Sequence, residues 1–279
     1  MTSPAIQRWA AFTDDPSGGN PAGVVLDADA LSAVDMQRVA ADVGYAETAF
    51  ISGRGRRRGI RYFSPVAEVP FCGHATVASA VALAQTLGDG VFVFDATVGP
   101  IEITTTSSAG GRHAEFTSVE PWVRPLDERR LDAVLALIGC ARDDLDPRHP
   151  PRLVFAGNAH PLVVFRDREV FDGFRFDAGD ARRLMDDAGW PATIIVLREA
   201  GGGVWESRNI FPVGSIVEDP ATGAAAAATG AYLRHTGAVS TPGSVRIEQG
   251  RHVGRAGTLH VRIPARGGIT VSGAAVRID

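Results

Sequence analysis

Lysine is absent from the 279 residues, so arginine carries all of the positive side-chain charge; that says more about genomic base composition than about function. Cysteine is scarce: Cys72 and Cys140 are too few, and too differently placed, for a disulfide framework or a zinc site. No apolar run reaches the roughly 18 residues needed to cross a bilayer, and no apolar segment precedes a small-residue cleavage site near the start. The expectation is a soluble, cytoplasmic protein with no membrane partner. Basic charge is not concentrated either. The net charge is −4, and the one arginine-rich run, Arg54-Gly55-Arg56-Arg57-Arg58, has glycine neighbours and no interleaved aromatics. It reads as a solvated hairpin turn, which argues against nucleic acid as a partner.

What is present is an apolar content of 45%, enough for a large core, and a stretch that occurs twice. Glu68-Val69-Pro70-Phe71-Cys72-Gly73 and Glu218-Asp219-Pro220-Ala221-Thr222-Gly223 keep Glu, Pro and Gly at the same offsets. Each runs into an Ala-rich, nearly uncharged segment, 74–84 and 224–233, whose lack of a polar face predicts a helix buried on all sides. The surroundings repeat too. A strand, a Gly- and Asn-containing loop and a Val-Val strand open both halves, and Arg61-Tyr62-Phe63-Ser64-Pro65 parallels Arg208-Asn209-Ile210-Phe211-Pro212. Two copies of one α+β unit account for nearly the whole chain, with domains at 1–117 and 118–279 and the C-terminal strand available to complete the first.

In chain order, the first half predicts a loop over 15–23 whose backbone either approaches a ligand or makes a plain hairpin. A helix follows near 31–40, capped by Ser32 or Asp29. Residues 45–51 then form a strand carrying Glu47 among small and apolar neighbours. A carboxylate there is either an edge-strand surface group or a buried group placed for proton transfer. Between 106 and 151 the texture turns polar and Pro-rich around a helix at 126–138 that suggests no chemistry. Another helix is expected near 180–188 and a strand at 193–197.

Each copy of the repeat ends at Gly as its buried helix begins, so free N–H groups and the positive end of the helix dipole face whatever precedes it. Two converging tips make a cleft for a small carboxylate. The plain alternative is two well-capped helices. It leaves unexplained why Cys72, His74 and Asp219, all able to move protons or hold hydrogen bonds, stand at the tips.

Four blocks, Gly19-Asn20-Pro21-Ala22-Gly23-Val24-Val25, Glu47-Thr48-Ala49-Phe50, Phe71-Cys72-Gly73-His74-Ala75-Thr76 and Glu218-Asp219-Pro220-Ala221-Thr222-Gly223, occur in this order. Together they resemble the signature blocks of the PhzF-like phenazine biosynthesis family. The resemblance implies the diaminopimelate epimerase-like fold: two pseudo-symmetric domains, each a mostly antiparallel sheet wrapped around a central buried helix. It further implies isomerisation without cofactor or metal, and a homodimer. In the family's best-known member a glutamate moves a proton between ring carbons of trans-2,3-dihydro-3-hydroxyanthranilate. Glu47 matches that glutamate, and His74 and Asp219 match residues around the substrate, so these three are the expected catalytic groups. Asn20, Cys72, Gly73, Gly223 and Ala224 are the expected substrate contacts.

Ala224 stands where the phenazine enzyme has Ser, which puts the phenazine substrate itself in doubt. Cys72 stands where diaminopimelate epimerases keep one catalytic cysteine, with Asp219 at or near the place of the other. An amino-acid epimerase or racemase using Cys72 and Asp219 is therefore the alternative. A non-catalytic protein that binds a small carboxylate, or serves as an interaction module, is the third.

Overall fold

The computed structural model describes residues 4–108, 110–213 and 216–278. These fall into two units, the described residues of Met1–Thr117 with Ser272–Asp279, and those of Ser118–Val271. The first holds β1 (Gln7–Ala11), β2 (Asn20–Val25), α1 (Ala33–Val43), β3 (Glu47–Ser52), β4 (Arg57–Phe63), β5 (Glu68–Val69), α2 (Gly73–Leu87), β6 (Gly90–Ala96), β7 (Gly99–Ser108) and β8 (Gly111–Thr117). Its pairings run β1–β2 antiparallel, β2–β3 parallel, β3–β4 antiparallel, β4–β6 parallel, then β6–β7 and β7–β8 antiparallel. The last strand of the chain, Thr270–Ile278, lies antiparallel to β1, with Arg8 opposite Ile278.

The second unit holds β9 (Trp122–Pro125), α3 (Glu128–Leu137), β10 (Arg152–Phe155), β11 (Ala159–Phe165), α4 (Arg168–Gly173), α5 (Ala178–Ala188), β12 (Ile194–Gly201), β13 (Val204–Val213), β14 (Ile216–Asp219), α6 (Gly223–Thr236), β15 (Gly243–Gln249) and β16 (Gly257–Ile263). From β10 to β16 the pairings are antiparallel, parallel, antiparallel, parallel, antiparallel, the same order as from β1 to β7.

The uncharged helices lie where their composition requires. Every residue from His74 to Ala84 of α2 is buried, against β1, β2, β3, β7 and β8. In α6 Ala225–Leu233 are buried against β9, β10, β11 and β16. The amphipathic helices pack elsewhere. In α1, Met36, Val39 and Ala40 pack with Phe50 of β3 and Phe63 of β4. Side chains alternate along a strand, so Glu47, Ala49 and Ile51 share the opposite face of β3, and Tyr62 that of β4. On that face the Tyr62 hydroxyl meets Thr76 of α2 at 2.6 Å. In the second unit α3, α4 and α5 form a separate core with Val163, Phe165, Ile194, Val196 and Ile210.

Local signals explain the helix ends. Ser32 Oγ accepts the Asp35 N–H at 3.2 Å while Asp35 Oδ2 accepts the Ser32 N–H at 3.3 Å, a reciprocal cap that selects Ser32 over Asp29. The arginine run does more than solvate a turn. Arg56 Nη2 donates to the carbonyls of Leu87, Gly88 and Asp89 at 2.7, 3.2 and 3.1 Å, closing the C-terminal end of α2, and Arg57 forks onto Asp95 at 2.9 and 2.7 Å. Three local expectations are corrected. Pro21–Gly23 belong to β2 rather than to the preceding loop, which is a hairpin joining β1 to β2. The polar stretch after 106 continues β7 and contains β8 and β9, whose polar residues are the outward half of an alternating pattern. The short helix α4 has no counterpart in the expected elements.

Gly230 shows how tightly α6 is enclosed. A Cβ added there would lie 2.7 Å from Ile269 Cγ2 and 2.8 Å from Val261 Cγ1. Gly230→Ala should therefore destabilise the protein by about 1–3 kcal/mol through overpacking, although alanine is the better helix former by about 1 kcal/mol. Urea unfolding checks the sign. A more stable variant would show that the helix has room to spare.

Candidate active site

Three side chains meet in the first unit. Glu47 opens β3 and is 12% exposed at its side chain, Cys72 is the N-cap of α2, and His74 is in its first turn. Cys72 Sγ lies 3.5 Å from Glu47 Oε2 and 3.4 Å from His74 Nδ1, and His74 Nε2 lies 3.5 Å from the same carboxylate oxygen. Among the described residues this is a group of metal-capable donors within 4.8 Å of one another. A hydrogen-bond chain fixes its backbone. Thr76 Oγ1 donates to the Cys72 carbonyl at 2.7 Å, and with that proton committed the Tyr62 phenol donates to Thr76 at 2.6 Å.

Burial pushes the His74 pKa from its ordinary 6.5 down to about 3, so the imidazole is neutral at physiological pH. It therefore cannot serve there as a standing cation; it can accept a proton or pass one on. Glu47 faces a neutral ring and a thiol, a setting in which a carboxylate can take a proton from carbon and return it.

In the second unit Asp219 ends β14 and is buried. Thr222 Oγ1 donates to its carboxylate at 2.5 Å. Gln249 ties this turn together. Its Nε2 donates to the Asp219 carbonyl at 2.6 Å and to Thr222 Oγ1 at 3.0 Å, and its Oε1 accepts the Thr222 N–H at 3.2 Å. Asn209, opposite Asp219 on β13, accepts from Ser207 at 2.9 Å, and its buried Nδ2 has no partner among the described residues. Gln249 and Asn209 were not singled out in the sequence, because single amides inside strands carry no spacing signal.

Neither α2 nor α6 has a side-chain cap: Cys72 and Thr222, the two N-caps, make no capping hydrogen bond. The reading of the repeat as two well-capped helices is thereby corrected. Neither N-cap side chain serves the N–H groups of the first turn. Gly73 and Ala224 are half-buried there, while Gly223 is buried. Asn20 begins β2 and is fully buried. By the offsets of the repeat, Thr222 and not Asp219 stands in the place of Cys72, which weakens the pairing of Cys72 with Asp219 as equivalent groups. The glutamates that make the repeat visible pair with arginines of the neighbouring antiparallel strands, β4 and β13. Arg61 forks onto Glu68 at 2.7 Å through both Nε and Nη2, and Arg208 pairs with Glu218 in a buried bridge.

The chain from residue 9 to 279 matches the family model described as phenazine biosynthesis-like protein. The chain belongs to the phenazine biosynthesis-like protein family. It is 32% identical to the uncharacterized isomerase YddE of Salmonella typhimurium, over 98% of this chain and 96% of that protein. It is 29% identical to the trans-2,3-dihydro-3-hydroxyanthranilate isomerase of Pseudomonas aeruginosa, over 92% and 89% of the two chains. A PhzF family protein of Bacillus anthracis superposes with a TM-score of 0.87 at 26% identity, covering 100% of this chain and 98% of that one. No described helix of this phenazine biosynthesis-like protein is long and apolar enough to cross a membrane.

Two measurements test the local chemistry of this family member. Replacing Gln249 with Leu strands buried partners on the Asp219–Thr222 turn and should cost about 2–4 kcal/mol in urea unfolding; an effect below ~0.5 kcal/mol would mean that the turn holds itself. The second concerns pH. His74 and His160 are buried, with pKa values lowered from 6.5 to about 3 and about 4. Below pH 6.5 the unfolded chain binds protons that the native state refuses, so stability falls as the pH drops toward 4. His160→Asn should flatten that fall by up to ~1.4 kcal/mol per pH unit, read from unfolding curves at a series of pH values.

Proposed function

We propose that this protein is a cofactor-independent isomerase of a small carboxylate-bearing metabolite, in which Glu47 removes a carbon-bound proton and returns it at another carbon. The observation that carries the reading is the Glu47 carboxylate itself: largely buried, on the face of β3 that meets α2, and in contact with the thiol of Cys72 and a neutral His74. His74 and Asp219 are assigned to proton handling around the substrate. Gly73, Gly223 and Ala224 supply backbone N–H groups at uncapped helix starts for a carboxylate, and Asn20 and Cys72 are further contacts. The isomerase names of the relatives support the reaction class. The repeated pairing order supports reading the two units as pseudo-symmetric copies around α2 and α6, and the family resemblance is the ground for a cytoplasmic homodimer.

Cys72 favours a second reading, epimerisation or racemisation at a substrate α-carbon, because its sulfur contacts both Glu47 and His74. The two readings part at single substitutions. With trans-2,3-dihydro-3-hydroxyanthranilate as first probe and other small carboxylates after it, the wild type in deuterated water should place deuterium on substrate carbon. Glu47→Gln should lower that exchange at least ~100-fold, the contribution of a general base. Cys72→Ala should keep it within about tenfold if Glu47 is the base; loss in Cys72→Ala with retention in Glu47→Gln establishes the thiol mechanism instead. Recovery of a bound carboxylate unchanged, with no exchange, would leave a binding protein.

A further inference from the structure

We propose that Asn209 is a further substrate-binding residue, whose side-chain amide donates to a carboxylate oxygen of the ligand at the start of α6, beside Asp219. Asn209 of β13 is the ladder partner of Asp219 on β14, and Ser207, two residues earlier on the same face, is the partner of Gln249 on β15. Ladder partners point their side chains to the same side of a sheet, so four polar side chains gather on one face, and all four are buried. Three of them are engaged with one another or with the turn that enters α6. Gln249 ties Asp219 to Thr222, the Asp219 carboxylate receives the Thr222 hydroxyl, and the Ser207 hydroxyl donates to Asn209 Oδ1 at 2.9 Å. That last bond turns the other end of the amide away from Ser207. Asn209 is 0% exposed, and its Nδ2 has no acceptor among the described residues.

The first unit supplies the control. There the same ladder position pairs Tyr62 with Val69, and the Tyr62 phenol donates its proton to Thr76 of α2 at 2.6 Å. The fold therefore works at this position with an apolar partner and no spare donor. In the second unit Asn209 replaces Tyr62 and Asp219 replaces Val69. By the offsets of the repeat, Ala226 stands in the place of Thr76 and has no hydroxyl to offer. Packing alone does not call for an amide here, and a buried donor without an acceptor is costly to keep. A ligand accounts for it. Thr222, the N-cap of α6, makes no capping hydrogen bond, and the positive end of the helix dipole favours an anion. Asn209 adds a side-chain donor to that end of the helix. Because the amide is neutral, it holds an anion without forming an ion pair with Asp219, whose carboxylate stays available for proton handling. The ligand class is the small carboxylate of the proposed function, and the assignment rests on that reading.

Side-chain amides are few, three asparagines and four glutamines, so a nitrogen-proton correlation spectrum resolves them singly, and the pair of signals lost in Asn209→Asp identifies Asn209. Acetate, as the minimal carboxylate, and trans-2,3-dihydro-3-hydroxyanthranilate are titrated in turn at about pH 8, where both are ionised. The Asn209 pair should move as the protein saturates. Asn209→Ala should raise the dissociation constant roughly 10- to 100-fold, the loss expected of a hydrogen bond to a charged group. For a carboxylate that is turned over, the change should fall on KM and leave kcat within about threefold. Asn209→Asp keeps the shape, removes the donor and sets a carboxylate against that of the ligand, so it should weaken binding further than Asn209→Ala. Thermal melts confirm that each variant is folded, and if Asn209→Ala does not fold, the wild-type spectrum together with Asn209→Asp decides. An Asn209 signal unmoved by both carboxylates, undiminished binding in Asn209→Asp, or a loss confined to kcat, the mark of a residue that only supports Asp219, overturns the assignment. If Asn209 behaves as expected while Glu47→Gln keeps its deuterium exchange, the carboxylate site stands and the role of Glu47 as base is what fails.

Discussion

A helix with no polar face must be enclosed, and its first turn then keeps N–H groups that only its immediate surroundings can satisfy. In this protein that constraint acts twice. The two enclosed helices are entered through Pro-containing turns whose last residues, Cys72 and Thr222, offer no side-chain cap. Enclosure fixes the strands around each helix. Lack of a cap leaves the two starts as the places where an anionic group is favoured by both hydrogen bonding and the helix dipole.

Alternation along the strands then separates maintenance from chemistry. On β4 and β13 one face carries Arg61 and Arg208, which bind Glu68 and Glu218 on the side of the amphipathic helices. The opposite face carries Tyr62, which meets Thr76 of the enclosed helix α2, and Asn209. Glu47 lies on that inner side of β3, one residue out of phase with Thr48 and Phe50. A shift of one residue in strand register would put Glu47 among the contacts of α1.

Much of this was legible in the sequence, because an uncharged run of eleven residues and a repeated Glu-x-Pro-x-x-Gly are strong signals with one physical meaning each. Glu47 was legible only in part. Its strand could be read from β-branched and aromatic neighbours, but its face could not, and the resemblance of its block to a known family decided its assignment. Arg56 was misread because a cation that closes a helix thirty residues away looks, locally, like a charge in a turn. Gln249 was invisible for a related reason: its three hydrogen bonds go to backbone and side chain some thirty residues earlier, and nothing near it in sequence records them.

The strand that ends the chain also sets an order of assembly. Thr270–Ile278 pairs with β1, yet the second unit lies between them in sequence. On the ribosome the second unit can therefore be complete while the first still lacks a strand, and an exposed edge of β1 waits through the synthesis of more than half the chain. The first unit therefore gains this strand only after the second unit has been synthesised.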